Sequence, residues 1–466
     1  MAATSCAGVV PSASRVAAVV GGGDRGLASS RVAPRPRVLA TRRFSRSASA
    51  LRSDLWGGDK QQLPTPVAAS PRRHGASSAS PRASANSPPT VAATSVSADT
   101  IPLLTPYQMG PFSLTNRVVL APMTRCRALG FVPQPAAAEY YAQRAVPGQL
   151  LIAEGTVVAQ EGIGYPNVPG IYTREQVEAW KPIVKAVKAK GGVFFCQLWH
   201  AGRASHPDFQ PGGALPVAPS AIPISSGDKV YTQTGAHDYP TPRAMTEADI
   251  RAAVQQFRMA ARHAMEAGFD GVEIHGANGY LIEEFIKDGT NKRTDRYGGS
   301  IPNRVRFLVE VASAVVEEIG PLRTGVRLAP FSTFLSSADS TPVPTYVHAT
   351  QCMNDLGLLY VHMLEARIDR EGEAVTGRES LEPFRRVFSN TFIAAGGYTR
   401  ESGNAAIASG AADLVAYGRR FLANPDLPRR FALDAPLNPY DRDTFYTFDQ
   451  VKGYTDYPSL EDEASK

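Results

Sequence analysis

No run of about 18 consecutive apolar residues, the length an α-helix needs to cross a bilayer, occurs anywhere in the 466-residue chain. No helical membrane span is therefore expected. Cysteine is scarce: Cys6, Cys126, Cys196 and Cys352 are all there are. They form no C-x-x-C pair and no metal-ligand spacing, which excludes a zinc module and a disulfide framework and suits a reducing compartment. Cys126 and Cys196 adjoin apolar runs and are expected to be buried thiols. Glutamate is missing from one end. The first Glu is Glu139, and the first hundred residues hold 13 Lys+Arg against 4 Asp. The remainder holds 36 basic and 39 acidic residues. The basic pI thus belongs to the N-terminal segment, and nucleic acid, a common partner of basic proteins, is not expected.

Residues 1–100 are rich in Ser, Ala, Arg and Pro and lack the continuous apolar core of a secretory signal. They read as a disordered tail carrying an organelle transit peptide. Its start, "MAATSCAGVVPSASR", suits a plastid before a mitochondrion. The chain closes on Lys466 and so lacks the Ser-Lys-Leu peroxisomal address. The tail also holds a decoy: Gly21, Gly23 and Gly26 in "VVGGGDRG" have dinucleotide-turn spacing. Pro34 and Pro36 forbid the helix that should follow.

From residue 101 a rhythm sets in. Short, near-continuous apolar runs recur: "RVVLAPMT", "QLLIAEGTVV", "VFFCQLWH", "GVEIHGA", "TGVRLAPF", "LLYVHML", "TFIAAGG" and "ADLVAYGR". Such runs suit strands buried on both faces, hence a parallel sheet. Helical patterns alternate with them. One runs from the candidate cap Thr173 to Gly191 and Gly192, another from Thr246, with Asp249 in capping-box spacing, to Gly268. Eight strands alternating with helices predict an α/β fold, a (β/α)8 TIM barrel over residues 101–466. A doubly wound open sheet is the alternative, but "LAPMTRCRALG" is no glycine fingerprint. A Pro- and Gly-rich insertion at about residues 203–245 follows strand 3 and is expected to cover or line a barrel mouth.

The C-terminal strand ends of such a barrel form its active face. They carry Thr124, Gly155, Gln197 with His200, His275 with Asn278 and Tyr280, Arg327, Arg367, Gly396 with Gly397, and Gly418 with Arg419. Any one of these could merely cap a helix or satisfy a loop; a whole ring of them is harder to explain so. Glycines at the ends of strands 7 and 8 beside an arginine suit a phosphate, which can approach a backbone without Cβ and accept a guanidinium fork. The side-chain amide of Gln197 offers donor and acceptor together, as the edge of a pyrimidine-like ring requires. A fixed positive charge at Arg327 could stabilise an anionic ring nitrogen. With a phosphate site, these suit flavin mononucleotide. In "GFDGVEIHGANGYLIEEF" the trio His275, Asn278 and Tyr280 closes a buried strand, and read alone it could be a polar loop.

Several long motifs carry a resemblance: "LAPMTR", "GYPNVPGIYTREQVEAWKPIV", "FFCQLWHAGR", "GFDGVEIHGANGYLIEEFIKDGTNKRTDRYGGS", "FIAAGGYTRESGNAAI" and "ADLVAYGRRFLANPDLPRRF". From about Pro102 to Leu460 the chain resembles the old yellow enzyme family, and within it the plant 12-oxophytodienoate reductases. The resemblance implies an FMN-bearing barrel that reduces α,β-unsaturated carbonyl compounds with NADPH. It implies that Thr124 bonds the flavin near its C4 oxygen and N5, and that Pro122, Met123 and Gly155 line the ring. Gln197 and Arg327 would take the pyrimidine edge, and Gly397, Gly418 and Arg419 the phosphate. His275 and Asn278 would bind the substrate carbonyl and Tyr280 would give the proton, with Tyr165 and Arg367 facing the substrate.

Two places depart from the family's pattern. "PFSTFLSSADSTPVPTYVHATQCMNDLG" replaces a more acidic, Asn-Tyr-rich loop, which touches substrate preference. "SIPN" stands where "SLEN" is usual, removing a capping acid. A flavin-binding barrel without turnover, and a phosphate-ligand isomerase or lyase using His275 and Tyr280, are the other functions this sequence admits. Both a monomer and a weak dimer are compatible with it.

Overall fold

The computed structural model describes residues 100–366 and 379–464. The transit-peptide reading of the first hundred residues, the Gly21-Gly23-Gly26 decoy and Arg367 lie outside them. Eight strands form the barrel, in chain order: β1 (Val118–Leu120), β2 (Leu150–Ile152), β3 (Val193–Trp199), β4 (Gly271–Gly276), β5 (Thr324–Leu328), β6 (Tyr360–Leu364), β7 (Thr391–Ala395) and β8 (Leu414–Tyr417). Each pairs in parallel with the next. β8 returns to β1 in the register Val415↔Val118, so the sheet closes on itself. The predicted barrel is the fold, and the open doubly wound sheet is not. Closure removes every edge of the sheet.

The helices α1 (Ala136–Gln143), α2 (Arg174–Ala189), α3 (Glu247–Ala267), α4 (Leu281–Ile286), α5 (Ile301–Ile319), α6 (Pro342–Asp355), α7 (Glu382–Val387), α8 (Arg400–Ala408) and α9 (Arg419–Ala423) fall between and after the strands. Alternation along each strand sorts two cores. On β3, Phe194, Cys196 and Leu198 pack outward against the helices. Phe195 points inward to meet Val119, Leu150, Ile152, Tyr360 and Leu414 above the hairpin residues Met109 and Leu114. Gly325 is glycine because a Cβ there would lie 2.2 Å from the Tyr360 ring. Cys126 and Cys196 are buried free thiols, and burial pushes each up to about 12.

The caps follow the sequence closely. Thr173 and Thr246 each close a capping box, with Gln176 and Asp249 respectively, and Gly268 ends α3 at φ 97°. Ser300, opening α5 in the altered "SIPN", makes no side-chain cap bond. Pro342 and Pro344 begin α6 without breaking it, since first-turn N–H groups have no helical partner to lose. The insertion after β3 carries an antiparallel hairpin, Lys229–Thr232 with Gly235–Asp238.

These caps give a paired expectation. Thr173→Ala should destabilise the fold by about 1 kcal/mol, while Ser300→Ala, which loses no cap bond, should change it far less. Denaturant midpoints of the two variants check this; equal losses would contradict the assignment.

Candidate active site

The barrel interior changes character towards the strand ends. Above the apolar floor, the inward positions become Gln197 on β3, Glu273 and His275 on β4, Arg327 on β5 and His362 on β6. Gln197 and Glu273 are register partners, as are His275 and Arg327, and Arg327 and His362. Gln197 Nε2 donates to Glu273 Oε1 at 2.8 Å, and His362 Nδ1 lies 2.8 Å from Glu273 Oε2. Gln197, Glu273 and His362 are all buried. Gln197 and Arg327 therefore sit inside their strands, two and one residues before the strand ends, rather than beyond them. Glu273 and His362 were not singled out in the sequence. The signal was an acid and an imidazole at inward, alternate positions of "GVEIHG" and "YVHML".

The turn after β4 places the central trio. Asn278 and Gly279 take φ 62° and 74° in succession, a left-handed pair that reverses the chain between strand and helix. The N–H of Gly279 donates to Glu283 Oε2 at 2.5 Å. The other oxygen of Glu283 accepts from Tyr346 Oη at 2.9 Å and lies 3.3 Å from Lys287 Nζ. Lys287, fully buried, also donates to the Ala329 carbonyl after β5 at 3.2 Å. A buried ion pair thus ties the turn to the loop that follows β5. A Cβ on Gly279 would come within 2.6 Å of the Phe334 carbonyl, so the altered β5 loop packs directly on this turn.

His275 is buried, and its Nδ1 accepts the Ala277 N–H at 3.3 Å. Burial, then the positive charge of Arg327 and the nearby His362, holds its pKa well below the ordinary histidine value. It is a neutral imidazole at physiological pH, with its proton on Nε2. Tyr280 Oη donates to Tyr165 Oη at 3.2 Å, and burial raises the pKa of both phenols, keeping them protonated. Tyr239 of the insertion lies in the same cluster, and burial, then the neighbouring Tyr165 phenol, raises its pKa. Trp199 stacks on Tyr165 at 5.8 Å between centroids and meets Tyr280 edge-on at 5.0 Å. The insertion residues Phe209, Val230 and Tyr239 and the β5-loop residues Phe334 and Leu335 pack against this aromatic wall. Tyr239 was not foreseen, because the insertion has no periodicity to read. His200 serves the scaffold: its Nδ1 accepts from Gly202 at 3.0 Å, its carbonyl accepts from Leu281 at 3.2 Å, and burial depresses its pKa to about 4.

The opposite side of the mouth is made of small residues. Pro122, Met123 and Thr124 follow β1. A Cβ on Gly418 would lie 3.4 Å from Met123 Sδ, and one on Gly155 3.3 Å from the Trp199 ring and 3.5 Å from Gln197 Oε1. Gly397 takes φ 72° and faces open space. Gly418 precedes α9, whose first residue, Arg419, holds its guanidinium 5.3 Å from the Tyr440 ring centroid. β1, β2, β7 and β8 thus bring Thr124, Gly155, Gly397 and Gly418 to the same end of the barrel as Gln197, Arg327 and the trio.

Two buried donors in this mouth, Arg327 Nε and Trp199 Nε1, have no hydrogen-bond partner among the described residues. Buried donors are rarely left so, and a polar, planar ligand would satisfy them. A guanidinium beside a side-chain amide, small residues where a ring could lie and open glycine turns at β7 and β8 fit a flavin phosphate. Fold and mouth together fit a barrel-type flavin-dependent oxidoreductase. The profile of the NADH:flavin oxidoreductase / NADH oxidase family matches residues 102–438. The chain is 56% identical over 364 residues to 12-oxophytodienoate reductase 2 of Arabidopsis thaliana, covering 78% of this chain and 97% of that protein. Its fold matches the old yellow enzyme homologue from Zymomonas mobilis with a TM-score of 0.73 at 44% identity, covering 77% of this chain and 99% of that one. Morphinone reductase in complex with tetrahydroNAD matches with a TM-score of 0.73 at 43% identity, covering 78% and 99%. The chain belongs to the NADH:flavin oxidoreductase / NADH oxidase family, on its old yellow enzyme and 12-oxophytodienoate reductase-like branch. No described helix is long and apolar enough to cross a membrane.

The neutral state of His275 has a kinetic signature. A depressed pKa means that lowering the pH from 8 to 6 adds no proton to it. The profile of kcat/KM should therefore show no limb near 6.5 that belongs to this residue. Comparing profiles of the native chain and His275→Asn checks this; a limb near 6.5 that vanishes in the variant would contradict it.

Proposed function

We propose that the chain reduces the C=C bond of α,β-unsaturated carbonyl compounds with NADPH, and that oxylipins resembling 12-oxophytodienoate are among its substrates. The observation that carries this reading is the neutral, Nε2-protonated His275 held in one short turn with Asn278 and the protonated Tyr280. In this reading Pro122, Met123 and Gly155 line the flavin ring, and Thr124 bonds its edge. Gln197 and Arg327 hold the pyrimidine side, and Gly397, Gly418 and Arg419 hold the phosphate. Bound FMN would supply the hydride for the β-carbon.

The remaining chemistry belongs to the chain. An isolated double bond accepts hydride poorly; conjugation to a carbonyl lets the developing charge move to oxygen. His275 Nε2–H and the Asn278 side-chain amide donate to that oxygen. Each such donor is worth about 3 kcal/mol of barrier by comparison with other oxyanion sites. Tyr280, protonated at neutral pH, gives its proton to the α-carbon; the Tyr165 hydroxyl, 3.2 Å away, then turns to donate to the phenolate that remains. The aromatic wall excludes water from this transfer.

The nicotinamide must share the substrate's mouth, because the described residues form one barrel without a separate dinucleotide domain. NADPH, rather than NADH, is proposed from the resemblance to the plant reductases. An oxylipin substrate is supported by the 56% identity to the Arabidopsis reductase and by the apolar wall that Phe334 and Leu335 complete. The acid-poor N-terminal hundred residues support a plastid as the compartment.

Steady-state kinetics with NADPH, NADH, both stereoisomers of 12-oxophytodienoate and small enones test the reading. Initial-rate plots should be parallel, since the two substrates take turns; intersecting lines would count against it. Tyr280→Phe should slow the oxidative half-reaction with enone about 100-fold or more and leave anaerobic single-turnover reduction of the bound flavin by NADPH near the native rate. Equal slowing of both halves would remove Tyr280 as the proton donor.

A further inference from the structure

The barrel holds a charge that none of the roles above employs. Glu273 sits in the middle of β4, fully buried, level with its register partner Gln197 and directly above the apolar floor of the cylinder. A carboxylate so placed is costly unless both oxygens are partnered. Here they are, by Gln197 Nε2 and His362 Nδ1, each at 2.8 Å. The amide of glutamine has two ends of nearly equal shape, and a carboxylate acceptor selects the nitrogen. Gln197 Oε1 is thereby left for the mouth; a Cβ built on Gly155 would lie 3.5 Å from it. Burial lowers the pKa of His362, so this neighbour brings a hydrogen bond and no balancing charge at neutral pH. A fixed positive charge, Arg327, stands two positions beyond the residue paired with Glu273 on β5, and the carboxylate acts on it electrostatically.

We propose that Glu273 is a positioning residue for the flavin. It fixes Gln197 with its oxygen toward the pyrimidine edge, and it offsets the charge of Arg327 so that the bound cofactor keeps a lower reduction potential. This rests on the flavin-binding reading given above. Reduction adds negative charge to the ring system, and an Arg327 freed of its counter-charge would favour the reduced form more strongly. His362 serves only to hold the second oxygen.

The test is the midpoint potential of FMN bound to the full chain, by spectroelectrochemistry or dye equilibration, together with the FMN dissociation constant by fluorescence quenching. Glu273→Gln, isosteric and neutral, should shift the equilibrium toward the reduced form by tenfold or more, equivalent to about 30 mV for a two-electron couple. His362→Gln, which keeps a donor and changes no charge, should leave it unmoved. A shift below tenfold in Glu273→Gln, or an equal shift in both variants, overturns the proposal. Should Glu273→Gln fail to fold, Glu273→Asp keeps the charge but shortens the reach to Gln197. It should weaken FMN binding tenfold or more at an unchanged potential, and unchanged affinity overturns the positioning role. A native chain that takes up no FMN would instead sink the flavin reading itself.

Discussion

A closed barrel of eight strands must fill its own interior, and here the filling changes chemistry with height. Phe195, Tyr360 and the aliphatic residues around them occupy the lower part as an ordinary core. Higher up, the same inward positions hold an amide, a carboxylate, a guanidinium and an imidazole. Burying such groups is unfavourable unless each finds a partner. Glu273 finds two, whereas Arg327 Nε and Trp199 Nε1 find none within the described chain. The rest of the site follows from that imbalance: a mouth whose unsatisfied donors call for a planar, acceptor-rich ligand.

The second constraint is the turn after β4. A strand ending in His275 has to reverse within a few residues to start α4, and Asn278 and Gly279 do so in the left-handed region. Their geometry is held from below by Glu283, and Glu283 by the buried Lys287. Removing one partner of such a pair is expected to cost about 3–5 kcal/mol. Lys287 also grips the start of the β5 loop, so the turn carrying the trio and the loop that differs most from the family's pattern are tied together. Arg203 of the insertion joins them through the Leu335 carbonyl at 2.9 Å. Changes in the β5 loop therefore reach the mouth through packing on the turn, without altering the trio itself.

Much of this was legible in the residues. Near-continuous apolar runs marked all eight strands, because burial on both faces leaves little room for alternation. Thr173, Thr246 and Gly268 announced their helix ends through side chains and a backbone conformation that act locally. Residues beyond strand ends were legible for the same reason, since the fold dictates which end is the active one. Gln197 and Arg327 were found but placed too far out, because an apolar run does not show where its ladder stops. Glu273 and His362 were passed over inside runs read as near-continuously apolar; only the two-residue alternation separates their inward face from the outward one. Tyr239 joins the site through a long aperiodic insertion, and contacts of that kind carry no local signature.

On the proposed function, this mouth holds a flavin whose electrons pass from a nicotinamide to an activated olefin. The most direct measurement is the anaerobic visible spectrum of the purified chain after reconstitution with FMN. The account predicts oxidised flavin bands that remain with the protein through gel filtration, bleach on adding NADPH and return on adding an enone. Protein that emerges without flavin absorbance would contradict it.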